Sequence, residues 1–401
     1  MTLVEIYDRS AFKNLYASLA WKPERLIVLY DKRRQKQQAE NEEIKRFLQN
    51  DSPGTVFLGF AAVPQYSLHA VKKVCEALYE KYPDLAFDLT GGREILLFGA
   101  LAFCEEKGVP CFYVDLQGRE FVPVSHCEAL PPFSFFDVSI KTMLLMEGAA
   151  VRRSLRSEFD AHSKEQGRQL EDVTRIAKTS GADWSSFAFF MQAACKNITG
   201  ETPDAAEEDE SLRYRTATQL THAGRNVRLE ASVFERMVQK GLIAVHEQTA
   251  KLVEFSFADL FIKKICKDKG AWLEYYTYFL ADKACLFDEL SLSTVIDWIE
   301  RKKEPDDPVN EIDVILRKGF QNIYVSCKTG TVESAHLFEI QYLAERFGGD
   351  LSRAVIVTST AVTNANILKR LREMNIALID KKDLEEPRFI AKLKEIAAGQ
   401  C

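Results

Sequence analysis

The sequence predicts an α/β protein with an α/β unit at each end and a helical, winged-helix-like region between them. Three observations carry this. At about 150 residues per domain, 401 residues amount to two or three domains. A composition of 46% hydrophobic and 28% charged residues is that of ordinary globular cores, which excludes a disordered, collagenous or disulfide-scaffold chain. Both ends also alternate short β-rich runs with stretches of helical periodicity, the pattern of strands connected by crossover helices.

Residues 1–130 form the first expected domain. Strands are expected at 2–8, 25–31, 55–60, 85–90 and 111–116. Between them, Leu68, Val71, Val74, Cys75 and Leu78 recur three and four apart, putting one apolar stripe of a helix against a sheet. Right-handed crossovers then imply a mainly parallel, doubly wound sheet, with ligands expected at the carboxyl ends of its strands.

Residues 131–255 are expected to connect the two units. After Leu130-Pro131-Pro132 the chain turns helical, and Arg152, Arg153, Arg156 and Arg168 lie on a segment that links domains or faces solvent. Residues 201–211 hold six acids and no base, which reads as a solvated loop. A helix stopped at Lys240-Gly241 and followed by short strands resembles a winged helix. Two readings are open for it, a nucleic-acid contact and a spacer.

Residues 256–401 form the third expected domain. Helices are expected at 271–283 and 291–301. A hairpin then turns at Gly319-Phe320, followed by a helix (334–347), a strand (354–360), a helix (364–374), a strand and a last helix. Gly348-Gly349 marks a helix stop.

Charge and cysteine usage narrow the chemistry. The net charge of −6 means that nucleic acid could be held only by a local basic surface. Nine scattered cysteines without a CxxC pair, and six histidines without HxH or HExxH, leave no disulfide framework or zinc knuckle. No signal-peptide pattern opens the chain, and charges interrupt every apolar run before the ~20 residues a bilayer needs. A cytoplasmic protein without a membrane partner is expected.

Two constellations could carry chemistry. The first is Leu89-Thr90-Gly91-Gly92-Arg93, joining a strand to a long apolar helix. Glycines at a helix start let a ligand approach backbone N–H groups that attract phosphate, and Arg93 adds a cation. A tight turn without a ligand is the alternative. Neither GxGxxG nor GxxxxGK[ST] occurs, so dinucleotide binding and an NTPase P-loop are unsupported. Asp8-Arg9-Ser10-Ala11, ending the first strand, would open onto the same sheet edge. The second constellation is Glu274 on an aromatic-rich helix, Asp313 on one arm of the hairpin and Lys328 on the other. Two acids and a lysine at one sheet edge suit a hard divalent metal and an oriented water.

The first unit resembles the CARF sensor domains of CRISPR-associated proteins, through YDRSAFKN and DLTGGRE. The last resembles restriction-endonuclease-like nucleases of the PD-(D/E)xK type, through AWLEYY, NEIDV and VSCK. In this order they resemble the CARF-nuclease ancillary effectors of type III CRISPR systems, which are homodimers activated by cyclic oligoadenylate. The resemblance implies a Rossmann-like sensor in which Arg9, Ser10, Ala11, Thr90, Gly91, Gly92 and Arg93 bind the ring, with cyclic tetra-adenylate expected. It implies a Mn²⁺- or Mg²⁺-dependent endonuclease acting on RNA, DNA or both. Glu274, Asp313 and the Ser326 position would be its metal site and Lys328 the catalytic lysine. The motif expects an acid two residues before that lysine, where this chain has Ser326, a poorer ligand than a carboxylate. Glu339 on the following helix and Glu311 on the Asp313 strand are the candidates to replace it. The alternative is a ligand-sensing, nucleic-acid-binding regulator with a decayed nuclease site.

Overall fold

The computed structural model describes residues 1–8, 13–33, 45, 47–48, 54–115, 118–128, 130–134, 137–154, 159–196, 210–298 and 309–399. These divide into two compact units, Met1–Ala149 and Ala150–Cys401.

The first unit is built on β1 (Thr2–Ile6), β2 (Arg25–Asp31), β3 (Val56–Val63), β4 (Leu85–Asp88), β5 (Cys111–Asp115) and β6 (Glu120–Ser125), in the order β3-β2-β1-β4-β5-β6. The first five strands pair in parallel and β6 closes the edge antiparallel to β5. Every residue of β1 is buried, as a central strand covered on both faces requires. Helices α1 (Tyr16–Trp21), α2 (Leu68–Lys81), α3 (Glu94–Lys107) and α4 (Ile140–Met146) complete the unit. The Ser67 hydroxyl caps α2 by accepting the Ala70 N–H, and Gly108, in the left-handed region, ends α3.

The second unit starts with β7 (Ala149–Arg153), α5 (Lys164–Ser180), α6 (Ala182–Lys196), β8 (Arg213–Ala217), β9 (Gln219–His222), β10 (Arg225–Arg228) and α7 (Ala231–Gln239). It continues through β11 (Ile243–Gln248), β12 (Leu252–Phe257), α8 (Leu260–Lys267), α9 (Ala271–Lys283), β13 (Glu289–Trp298), β14 (Val309–Lys318) and β15 (Gln321–Lys328). The last elements are α10 (Ser334–Gly348), β16 (Arg353–Thr358), α11 (Ala365–Glu373), β17 (Ala377–Ile379) and α12 (Glu386–Ala397). Helix α7 with the small sheet β11-β12-β8 is the winged-helix-like element. It is not isolated: one core runs from Phe159, Leu170 and Phe234 through Trp272 and Leu273 to Val325 and Ile396.

The larger sheet has the order β17-β16-β15-β14-β13-β7. Its β14–β15 hairpin turns at Gly319-Phe320, as the sequence predicts, while β15, β16 and β17 pair in parallel. One element differs from expectation. Residues 289–298, expected to lie largely in a helix at 291–301, form β13, antiparallel to β14. The deciding signal is a period of two in the sequence, which puts Leu290, Leu292, Thr294 and Ile296 on one face; the strand is covered on both faces, since Ser291, Ser293 and Asp297 are buried too. The run Thr294-Val295-Ile296 is also β-branched, which disfavours helix. Arg152 lies in edge strand β7, where its Nε donates to Asp297 Oδ2 at 2.8 Å. Arg156 and residues 201–209 of the acidic run lie outside the described residues. No helix among the described residues is long and apolar enough to cross a membrane.

Candidate functional site

The β14–β15 hairpin opens at Asp313. The last paired position is Val314 with Val325, and one step further Asp313 and Ser326 face each other as the strands part. The Asp313 side chain takes over from the backbone ladder there. Its Oδ2 accepts the Cys327 N–H at 2.6 Å and, more weakly, the Ser326 hydroxyl at 3.4 Å. Both bonds fall on one oxygen, leaving Oδ1 for a further partner. Across β14, Ser293 of β13 has φ +47 within a strand, a conformation that non-glycine residues rarely hold. Its hydroxyl donates to Glu311, which lies two residues from Asp313.

Glu274 is brought to this opening by α9, whose other side is packed into the core by Trp272, Leu273 and Tyr276. Burial raises the Glu274 carboxyl well above the ordinary carboxylate range, and the charge of Asp313 raises it further, with Asp268 and Glu311 adding to it. Asp313 is pushed up to about 6, mainly by burial, although the Cys327 N–H and the Lys328 charge oppose this. Lys328 acts in the same direction on Glu274. The loop after Lys328 is tied to the end of β16: Ser359 N–H donates to Lys328 O at 3.1 Å, and the Thr358 and Thr360 hydroxyls both donate to Gly330 O. The structure therefore gathers Glu274, Asp313, Ser326 and Lys328. Glu339 lies exposed on α10; Asp268 and Glu311, exposed as well, add to the charge on Glu274 after Asp313, and Glu311 also acts on Asp313.

Asp268 is an addition that the motif spacing did not reveal. Its Oδ1 accepts the Gly270 N–H at 2.7 Å. A Cβ on Gly270 would lie at ordinary contact distance, 3.5 Å, from both Asp268 Oδ1 and Glu274 Oε1, so the two acids border the same position. Among the described residues, no group of three or more His, Cys, Asp or Glu side chains is arranged to hold a metal ion. The donor set still fits a hard divalent cation. Two carboxylates stay pushed toward protonation despite the Lys328 charge, and Mg²⁺-like ions keep several waters and need only one or two carboxylates.

In the first unit, Gly91, Gly92 and Arg93 lie at the start of α3, on the carboxyl edge of β4. Gly92 has φ +113, and a Cβ there would stand 2.3 Å from Ile6 Cγ2, so the backbone path itself demands glycine. The Gly92 N–H is not free for a ligand: it donates to Asp8 Oδ2 at 2.8 Å. Asp8 is held in turn by Asn14, whose Oδ1 accepts the Asp8 N–H at 2.6 Å. The Thr90 hydroxyl is also engaged, donating to Asp88 Oδ1 and accepting the Val114 N–H at 2.8 Å. These three residues build the loop, and Arg93 is the member whose side chain reaches outward. Beneath them, burial holds the adjacent carboxyls of Glu5 and Asp88 above their ordinary range. Arg9, Ser10 and Ala11 lie outside the described residues.

Residues 265–398 match the family model of the Card1-like endonuclease domain. The match spans α9 with Glu274 and strands β13 to β17, including the hairpin that carries Asp313 and Lys328. Over the whole chain the fold is similar to protein VC1899 from Vibrio cholerae, at 16% identity and a TM-score of 0.71, covering 100% of this chain and 99% of that one. It is also similar to Can2 from Sulfobacillus thermosulfidooxidans, solved in complex with cyclic tetra-adenylate. The identity is again 16%, the TM-score 0.66, and 99% of each chain is covered. No curated protein matches the sequence significantly. The α/β fold class read from the sequence is borne out, and its last part is similar to an endonuclease domain.

Proposed function

We propose that this chain is a nuclease switched on by a cyclic oligoadenylate, cyclic tetra-adenylate in the first instance, and that it serves type III CRISPR antiviral defence. The carrying observation is the convergence of Glu274, Asp313 and Lys328 at the open end of one hairpin, inside the segment that matches an endonuclease domain. The similarity in fold to Can2, whose structure holds cyclic tetra-adenylate, supports the choice of ring.

Glu274 and Asp313 would hold Mn²⁺ or Mg²⁺, which would supply positive charge against a phosphodiester oxygen. Ser326 sits on Asp313 as a hydroxyl donor and orients it, and Glu311 supplies the charge the motif expects at position 326. Lys328 then holds the attacking water and the phosphate oxygen at the same edge. Hydrolysis forms a bond from water oxygen to phosphorus, breaks one ester P–O bond and leaves the departing oxygen protonated. The partners are RNA or DNA and a second copy of this chain. A cyclic tetranucleotide has even-fold symmetry, so one ring can be shared by two identical clefts about a twofold axis.

Ser326 favours the second reading, a ligand-sensing regulator whose nuclease site has decayed. One experiment separates the two. Full-length protein is incubated with Mn²⁺ and single-stranded RNA or DNA, with and without cyclic tetra-adenylate, beside Lys328→Ala. Ring-dependent cleavage by wild type alone supports the nuclease. No cleavage by either protein, with the ring still bound, supports the regulator. In sedimentation, one ring per two chains is expected, and a monomer binding one ring per chain would refute the shared cleft.

A further inference from the structure

At the carboxyl edge of β2 lies a cluster that the motifs did not include. Asp31, only 4% exposed, ends that strand. Arg33 clamps it with both prongs of its guanidinium, Nε to Oδ1 at 3.0 Å and one terminal nitrogen to Oδ2 at 2.7 Å. Arg93, from the loop after β4, donates to the same Oδ2 at 3.4 Å. Both guanidinium carbons also lie against the ring of Tyr66, at 4.6 Å and 4.8 Å from its centre. Tyr66 precedes the cap of α2, just beyond β3. Four neighbouring strand ends, β3, β2, β1 and β4, thus place Tyr66, Asp31 with Arg33, Asp8, and Gly92 with Arg93 along one edge.

Two arginines share the Asp31 carboxylate, so that trio is net positive, with Asp8 turned to the Gly92 N–H beside it. Arg33 spends two of its five N–H donors on Asp31 and Arg93 spends one, while their side chains remain 55% and 41% exposed. Stacking on Tyr66 and pairing with Asp31 restrict two long side chains before any ligand arrives. The ordering cost that weakens an exposed arginine's grip is thereby already met. A planar fork with free N–H donors, fixed on an aromatic ring, suits a phosphodiester.

We propose that Arg33 and Arg93, organised by Asp31 and Tyr66, form a phosphodiester subsite that extends the effector site across the β2 and β3 ends. The inference rests on the proposed effector reading and goes beyond it in assigning Asp31, Arg33 and Tyr66, which no sequence motif includes. Arg33 and Arg93 are the binding residues, and Asp31 and Tyr66 are positioning residues.

The test is calorimetric titration of the full chain with cyclic tetra-adenylate, comparing wild type with Arg33→Ala, Arg33→Lys and Tyr66→Leu. Arg225→Ala, on the exposed β9–β10 hairpin, serves as the charge control. Loss of a charge-assisted bond should weaken binding tenfold or more in Arg33→Ala. Arg33→Lys keeps the charge but loses the fork, and should recover only part of that loss. Arg225→Ala should bind like wild type. Arg33 is exposed, so its variants fold whatever becomes of Tyr66→Leu. If wild type binds the ring and Arg33→Ala binds within twofold of it, the subsite is refuted while the effector reading stands. If wild type binds no ring, both fall.

Discussion

Replacing Asp313 by Asn separates two consequences of its position. Without a cation, ionised Asp313 is a cost to the folded chain, because burial pushes its carboxyl from an ordinary 3.8 up to about 6. The folded state therefore holds this proton more tightly than the unfolded state. Stability is lost as pH rises through that window, and the full penalty applies above about pH 6. At about 1.4 kcal/mol per pH unit, the window is worth on the order of 3 kcal/mol, and partial solvation at a half-buried site brings it to ~1–3 kcal/mol. Asn keeps the shape, and its amide oxygen still accepts the Cys327 N–H. In chelator at pH 8, Asp313→Asn should be more stable than wild type by ~1–3 kcal/mol, and at pH 4 the gain should vanish. Its cleavage should nevertheless fall by ~10²–10³, the scale of losing one preorganised electrostatic group. Urea denaturation followed by tryptophan fluorescence at pH 4, 6 and 8 reads the first effect, and a cleavage assay in Mn²⁺ reads the second. An Asn variant less stable than wild type at pH 8, or one that cleaves normally, would refute the reasoning.

Three further outcomes are expected. Mn²⁺ should raise the thermal midpoint of wild type with concentration, by about 5–10 °C at a hundredfold excess over its Kd, and leave Asp313→Asn unmoved. A Tm that climbs equally in both proteins would move the ion elsewhere. Glu311→Gln should reduce cleavage ~10²-fold while Glu339→Gln stays within about threefold, measured as initial rates; the reverse ranking would restore Glu339 as the replacing acid. Gly92→Ala should cost ~2–5 kcal/mol in urea denaturation, because its Cβ would meet Ile6 Cγ2 at 2.3 Å with φ at +113. Gly91→Ala, with its nearest contact at 3.1 Å and no positive φ, should cost much less. Equal stabilities would show that the loop accommodates a side chain at either position.

Legibility varied with the range of the forces involved. Strands β1, β2, β4 and β5 lay open in the sequence because each is a short apolar run bounded by turn residues, with helices of clear 3.6 period between them. The hairpin at Gly319-Phe320 was equally local, and its arms brought Asp313 and Lys328 to one end. Strand β13 is hidden from a local reading because Ser291 and Ser293, buried in the fold, put hydroxyls between its apolar residues and make the run look polar and helix-like. The fate of the Gly92 amide was illegible for another reason: Asp8, which takes it, lies 84 residues away.

The sequence by itself determined the two α/β units, the order of most elements and the pair of motifs that mark them, since periodicity and turn chemistry act within about ten residues. Only the tertiary structure decided which charges stand together. Glu311 and Asp268 join Glu274 and Asp313 because α9 and two antiparallel strands meet there, while Glu339, one turn from well-buried neighbours, faces outward. Arg33, Tyr66 and Arg93 come from three separate strand ends and share one ring and one carboxylate only once the parallel sheet has aligned those ends. Electrostatic environment is a property of distance in space, and no spacing along the chain encodes it.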